Sequence, residues 1–219
     1  MSGVNDQGVS VARYYVALLA RTQRWLAPVL TYGTVLAIDS ASGDSTADAF
    51  AYSAAFLLPV SAWFTRAALT AEPPEAAAII ATAAGPVRSR LAALSAATAY
   101  GLLCAAVGAL VAIGAGSGRG TSTVFAGLST EVVCVLLGTA AGALSAPPLV
   151  PAAGWGVLLA GLLALGLLVA RFSPADMGIR ALTLAANGGS LHYPLAALPL
   201  ALLVAGAAWA VSTAAATRR

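Results

Sequence analysis

Charged residues are scarce in this sequence, and lysine is missing altogether. Only 9% of the 219 residues are charged, whereas an average soluble domain has roughly 25%. Hydrophobic residues make up 60% of the chain, and the mean hydropathy is +0.88. Because so few polar groups cannot cover the surface of a soluble protein, the sequence predicts a polytopic integral membrane protein that is surrounded largely by lipid.

The chain also lacks the residue sets of most enzymes. It has one histidine, His192, which excludes a histidine cluster for a metal and is expected at the membrane interface beside Tyr193. The glycine-rich run 114–120 resembles a phosphate loop, but a Walker loop needs a lysine to reach the phosphates, so we interpret this run as a flexible turn. No catalytic residue, cofactor or metal is therefore expected in this chain.

Cysteine is equally rare, with Cys104 and Cys134 both inside apolar runs. We predict that they are buried small hydrophobic residues and not a disulfide, because free cysteine commonly packs in this way. The first apolar run, 11–20, is short and leads into Arg21 and Arg24 instead of a small-residue cleavage site, so no cleavable signal peptide is expected.

Long apolar runs are what the sequence does have. A spanning helix needs about 20 apolar residues, and six runs approach or reach that length. The sequence thus predicts an all-α membrane protein with no internal repeat, in which the first run is short and the second contains Pro59. The predicted spans are about 25–41, 50–66, 91–113, 124–144, 152–170 and 194–213.

Residues 9–24 have the pattern of an interfacial helix. Arg13, Arg21 and Arg24 follow helical spacing on one side, and a mainly apolar stripe that ends at Trp25 occupies the other. Such a helix lies in the membrane interface with its arginines toward the lipid head groups.

Arginine placement predicts the orientation. With the N-terminus inside, eight arginines lie in cytoplasmic segments and three in outer loops, and the first outer loop carries Asp39, Asp44 and Asp48. This bias favours two cytoplasmic termini in a bacterial plasma membrane.

The cytoplasmic loop between spans 2 and 3 is predicted to contain a helix over 74–84. Glu72-Pro73-Pro74-Glu75 opens it, and Gly85-Pro86 closes it. The helix carries Ile79 and Ile80 and is unusually apolar for a solvated loop, which indicates that it docks against another surface.

The outer loop before span 6 is predicted to contain a second helix over 174–187. Ser173-Pro174-Ala175-Asp176 resembles a capping box with proline at the first helical position, and Asn187-Gly188-Gly189 supplies the stop. We interpret this apolar segment as a re-entrant element of the outer leaflet.

Glu131 is the one acidic residue predicted deep inside a span. A charge there costs roughly 2.5–3.5 kcal/mol on insertion scales, so it needs a partner, a water-filled cavity or a proton. Two interpretations stay open: a polar contact along a transport pathway or between subunits, or a carboxyl group that snorkels outward or is tolerated in its protonated form.

Together these features resemble the membrane subunit of an ABC-2 type (type V) ABC transporter. The stretches 21–30 (RTQRWLAPVL) and 58–66 (LPVSAWFTR), followed by Glu72-Pro73-Pro74, are similar to actinobacterial permeases of this family. The likeness is one of layout over most of the chain and is specific only across roughly residues 13–100.

The resemblance implies a permease without enzymatic activity of its own. The 74–84 helix would be a coupling helix that docks on a separate ATP-binding subunit, which would bind ATP and Mg. Two six-span subunits, as a homodimer or with a close paralogue, would form the translocation pathway, and export is the commoner direction. The coupling residues would be Glu72, Pro74, Glu75, Ile79, Ile80, Gly85 and Arg88.

The residues themselves leave two other classes open. One is a proton-coupled secondary transporter that uses Glu131, although further midplane charges and an internal repeat are missing. The other is a membrane anchor or regulator with no transport cycle. For a dimer, the segments 101–108 and 154–166 are rich in the small residues that allow close helix approach.

Overall fold

The computed structural model describes residues 17–18, 21, 23–72, 85–118 and 120–217. The described chain is all-helical, as predicted. Its seven main helices are α1 (Leu26–Ser42), α2 (Thr46–Leu69), α3 (Pro86–Ala115), α4 (Thr121–Ser145), α5 (Ala153–Val169), α6 (Pro174–Ala186) and α7 (Ala197–Ala216). The predicted 74–84 helix and most of the predicted interfacial helix 9–24, including Arg13, lie outside the described residues.

Four to five of these elements are candidate membrane spans. Helices α2, α3, α4 and α7 are each long and apolar enough to cross a membrane, and α5 and α6 are so only when taken together. Helix α1 has 17 residues and contains Asp39, so it falls short by length. The chain is thus a helical membrane protein, and the predicted total of six spans stays a prediction.

A bend follows the fifth predicted span. Helix α5 does not qualify as a span alone, and α6 follows it after residues 170–173 with a bend of 49°. The break falls where proline disfavours a helical conformation in the residue before it, and the Ser173 hydroxyl accepts a hydrogen bond from the Ala175 amide at 3.3 Å. The predicted segments 152–170 and 174–187 are thus both helical, and the prediction that α5 alone crosses the membrane stays a prediction.

Helix α6 packs inside the bundle. Its Ala175 belongs to a buried cluster with Leu58 and Val133, and a Cβ atom on Gly178 would lie 2.8 Å from the Thr130 hydroxyl. The Asp176 carboxylate forms an ion pair with Arg180, one turn later in the helix, at 2.7 Å. In the predicted capping box, Asp176 would instead accept a hydrogen bond from the backbone at the start of the helix. The re-entrant interpretation of this segment stays a prediction.

The first connection is shorter than expected. The sequence predicts an outer loop from about residue 42 to 49, but only residues 43–45 separate α1 from α2. Helix α2 begins early because the Ser45 hydroxyl accepts a hydrogen bond from the Asp48 amide at 3.2 Å. The Thr46 amide and hydroxyl also donate to the Ser117 carbonyl, at 2.8 and 3.0 Å. Asp39 and Asp48 are thus helical residues and not loop residues.

Glycine brings α2, α3 and α4 into close contact within one chain. A Cβ atom on Gly142 would lie 2.6 Å from the Ala62 carbonyl oxygen, and one on Gly101 would lie 2.9 Å from the Val135 side chain. The glycines of the 101–108 segment are therefore used inside the subunit, which corrects their assignment to a dimer contact. On α5, by contrast, Gly154, Gly161 and Gly166 face open space.

Both cysteines follow their prediction. Cys104 and Cys134 are free and buried, the first beside Tyr32 and Phe64 and the second in the cluster around Leu58.

Candidate functional site

A polar cluster forms around Glu131 where four helices meet. Glu131 lies on α4 and is only 1% exposed. The Ser53 hydroxyl of α2 donates a hydrogen bond to Glu131 Oε1 at 2.6 Å, and the Tyr32 hydroxyl of α1 lies 2.7 Å from Ser53 Oγ. The snorkelling interpretation of Glu131 is therefore wrong, because the side chain points into the bundle.

The direction of these hydrogen bonds follows the charge of Glu131. Ser53 has one hydroxyl proton, so with an ionised Glu131 it donates to Oε1 and the Tyr32 hydroxyl donates to Ser53. With a proton on Oε1, the same two contacts have Glu131 as the donor to Ser53 and Ser53 as the donor to Tyr32. The cluster thus has hydrogen-bonding partners for either state of the carboxyl group.

Gly108 of α3 provides the space for this cluster. A Cβ atom at Gly108 would lie 2.9 Å from Glu131 Oε1 and would overlap the hydroxyl oxygens of Tyr32 and Ser53. The cluster thus depends on a backbone position where no side chain can be present. Helix α3 closes the fourth side of the site without adding a polar group at this residue.

The charge of the cluster is not balanced by the part of the chain that the structure describes. No arginine of that part forms an ion pair with Glu131, and Glu131 Oε2 has no hydrogen-bond partner within it. An unpaired buried carboxylate is costly, whereas a protonated carboxyl group could use the same pocket at lower cost. The arrangement is therefore chemically suited to hold a proton or to accept a hydrogen bond from a solute. Among the described residues, no group of three or more metal-ligating side chains is present.

Arg66 forms a second buried polar feature, near the C-terminal end of α2. It is 8% exposed. Its guanidinium group donates to the Ser145 carbonyl, where α4 ends, and to the Ala153 carbonyl, where α5 begins, the latter at 2.8 Å. A Cβ atom on Gly156 would lie 2.5 Å from Arg66 Cζ, so the backbone of α5 packs directly against the guanidinium group. Arg66 thereby joins three helices.

The remaining predicted site residues are distributed differently. Gly85 precedes α3 with a φ of +86°, a conformation that favours glycine, and Pro86 is the first residue of the helix. Glu72 is half-buried, and Arg88 is exposed. Arg21 and Arg24 are exposed as well, and Arg24 donates a hydrogen bond to the Thr70 carbonyl at 2.8 Å. Pro74, Glu75, Ile79 and Ile80 lie outside the described residues.

Sequence reasoning missed most members of the Glu131 cluster. Tyr32, Ser53 and Gly108 come from three other predicted spans, and a single sequence does not show which faces of those spans meet. A partial signal was present, because Gly108 lies seven residues after Gly101 and thus on the same side of one helix. Arg66 is the last residue of the second predicted span and of the stretch 58–66, and no site was predicted for it.

The chain matches no protein-family model, no curated protein and no solved structure. The likeness to ABC-2 permeases therefore depends on the sequence features alone, and the structure defines the broader class of helical membrane protein.

Proposed function

We propose that this chain is the membrane-spanning subunit of an ABC exporter of the ABC-2 type, driven by a separate ATP-binding subunit. The observation that carries the proposal is the succession of helices. Six passes result if α1 counts as a span and the bent pair α5–α6 counts as one, and the broken fifth pass precedes the last helix. This arrangement supports the layout on which the family resemblance was based.

The absence of lysine supports the same proposal. A transporter of this type needs ATP hydrolysis, and the sequence contains no Walker lysine. The energy source must then be a second protein. The 74–84 segment, with Ile79 and Ile80, is the proposed contact on the cytoplasmic side, together with Glu72, Gly85 and Arg88.

A dimer of such subunits would place α5 at or near the contact. This helix has few buried residues, and its small residues Gly154 and Gly166 leave open space beside the backbone. Its exposed large side chains include Trp155, Leu158, Leu162, Leu165 and Val169. Small residues beside large apolar ones suit close packing of helices from two subunits in lipid.

The proposal is tested by the double variant Ile79→Asp and Ile80→Asp. Burial of each isoleucine in a partner would contribute about 1.5–3 kcal/mol, so two charges at these positions should abolish co-purification with the ATP-binding subunit. The control adds the same two charges at Ala214 and Thr217, near the end of α7, where both residues are exposed. ATP-driven transport that persists in the Ile79/Ile80 variant would contradict the coupling assignment. If no ATPase co-purifies with the unaltered chain, the anchor or regulator interpretation takes its place.

A second candidate function, proton-coupled transport, is favoured by one observation. Glu131 is a buried carboxyl group that accepts a hydrogen bond from Ser53 and has no cationic partner among the described residues. Intramembrane carboxyl groups of this kind are common in proton relays. In proteoliposomes, transport that needs a proton gradient and no ATP, and that stops in Glu131→Gln, would favour this function over the first.

A further inference from the structure

A groove runs along the outside of the bundle between α2 and α5. Its volume is about 670 Å³, within the range of roughly 300–1,000 Å³ that is typical of ligand pockets. The walls are almost entirely apolar, with Pro59, Ala62 and Trp63 on α2 and Val157, Ala160 and Gly161 on α5. Trp63 is 46% exposed and Val157 61% exposed, so the groove opens sideways toward the surroundings of the helices.

One end of the groove is cationic. Arg24 and Arg66 both contribute to its lining, together with Thr70. Arg66 is fixed there by its hydrogen bonds to the Ser145 and Ala153 carbonyls. Arg24 is held at the same end by its hydrogen bond to the Thr70 carbonyl. The two guanidinium groups are thus positioned before any ligand binds.

These two charges are not neutralised within the described part of the chain. Both arginines donate to neutral backbone carbonyls, and no described carboxylate forms an ion pair with either of them. A guanidinium group has five N–H donors, so each arginine retains donors for an anion. A ligand that combines an anionic group with a long apolar chain matches both parts of the groove.

We propose that this groove binds one anionic phospholipid, with an acyl chain along the apolar walls and the phosphate group at Arg24 and Arg66. Basic pockets at the ends of membrane helices are a recurrent site for anionic lipid head groups. A second copy of the chain would match the apolar walls but would leave the cationic end without a counter-charge. The proposal depends only on the membrane location and not on the transport function proposed above.

The lipid is tested by native mass spectrometry of the full chain in detergent with equal amounts of phosphatidylglycerol and phosphatidylcholine. One phosphatidylglycerol should stay bound to each chain under activation that removes phosphatidylcholine. In Arg24→Gln this preference should fall about fivefold, which corresponds to the contribution of one cation near an anionic lipid surface. The charge control is Arg171→Gln, since Arg171 is exposed and does not line the groove.

The apolar part is tested by filling the groove. At Gly161 no atom lies within 4 Å of an added Cβ, so Gly161→Leu fits the helix and occupies the groove. This variant should lose bound phosphatidylglycerol, whereas Gly206→Leu on α7, which also faces open space, should retain it. Soluble glycerol phosphate should not displace the lipid, because it has a phosphate group but no acyl chain.

Three outcomes would overturn the proposal. The first is equal retention of both lipids by the unaltered chain. The second is displacement by glycerol phosphate alone, which indicates a site for a free phosphate. The third is a Gly161→Leu variant that separates a dimer into monomers with no change in lipid preference, which assigns the groove to a second copy.

Discussion

The Glu131 cluster and the groove between α2 and α5 both contain an ionisable side chain among apolar helices, but they differ in how that side chain is surrounded. Each places an ionisable group among apolar helices and surrounds it with neutral hydrogen-bonding partners. Glu131 is sealed by four helices and accepts a hydrogen bond from the Ser53 hydroxyl, whereas Arg66 donates to backbone carbonyls and borders an open groove. The sealed site is suited to a proton or a small polar contact, and the open site is suited to a lipid-sized ligand.

The comparison also shows what each site contributes to stability. Arg66 satisfies two carbonyl groups at helix ends, where no helical partner is available. Glu131 bonds to no helix end, and the Ser53 hydroxyl that it accepts from could instead bond to a carbonyl one turn back in its own helix. We therefore expect the arginine to matter for folding and the glutamate to matter for function.

The largest loss of stability is expected from Gly108→Val, which should disrupt the hydrogen bonds among Tyr32, Ser53 and Glu131. The added side chain would overlap Tyr32 and Ser53, and overpacking of this kind costs about 1–3 kcal/mol or more. The melting temperature in detergent should fall markedly, with a smaller fall for Gly206→Val in open space. Equal losses in the two variants would show that helix propensity, and not the cluster, is responsible.

A smaller loss is expected from Arg66→Met. This change removes a buried charge but leaves the Ser145 and Ala153 carbonyls without their donor, at a cost of about 1–3 kcal/mol. Arg66→Lys should recover only part of the loss, because an ammonium group lacks the planar fork that reaches both carbonyls. Thermal unfolding measures both variants, with exposed Arg171→Met as the control. If Arg66→Met were as stable as the unaltered chain, Arg66 would not be the link that holds α2, α4 and α5 together.

The smallest effect on stability is expected from Glu131→Gln, within about 1 kcal/mol. The amide oxygen can keep the hydrogen bond from Ser53, and that bond contributes about 0.5–1.5 kcal/mol net. Transport or subunit assembly should nevertheless change, because the amide cannot ionise or exchange a proton as the carboxyl group can. Asp39→Asn at the half-buried end of α1 is the matched control. Unchanged transport and an unchanged oligomer would mean that Glu131 has only a structural role.

Hydrophobic runs predicted most of the helices but not their ends. The third and fourth helices agree with the predicted spans to within a few residues, since their apolar runs are long and uninterrupted. The second helix begins four residues before its predicted start because Ser45 and Asp48 cap it, and such polar residues also occur in loops. Helices α5 and α6 agree with the predicted segments 152–170 and 174–187 to within one residue, but their arrangement as a bent pair was not predicted.

The candidate site was predicted in part. Glu131 stood out because an isolated acidic residue in an apolar run is costly in lipid. Its partners did not stand out, since serine, tyrosine and glycine are common in membrane helices and cost little there. Arg66 was hidden for another reason: an arginine near the end of a span is expected to reach the head groups, and only the packing of α5 over it shows that it turns inward.

The sequence by itself determined that this is a helical membrane protein and where its apolar segments lie. Each helix that crosses the lipid needs its own run of about 20 apolar residues, so each run can be recognised separately. Only the tertiary structure decided which faces meet. The positions of Gly108 beside Glu131 and of Gly156 over Arg66 depend on contacts between helices that are far apart in the chain. Such contacts follow from shape and hydrogen bonding across the bundle, and a local pattern of hydrophobicity does not contain that information.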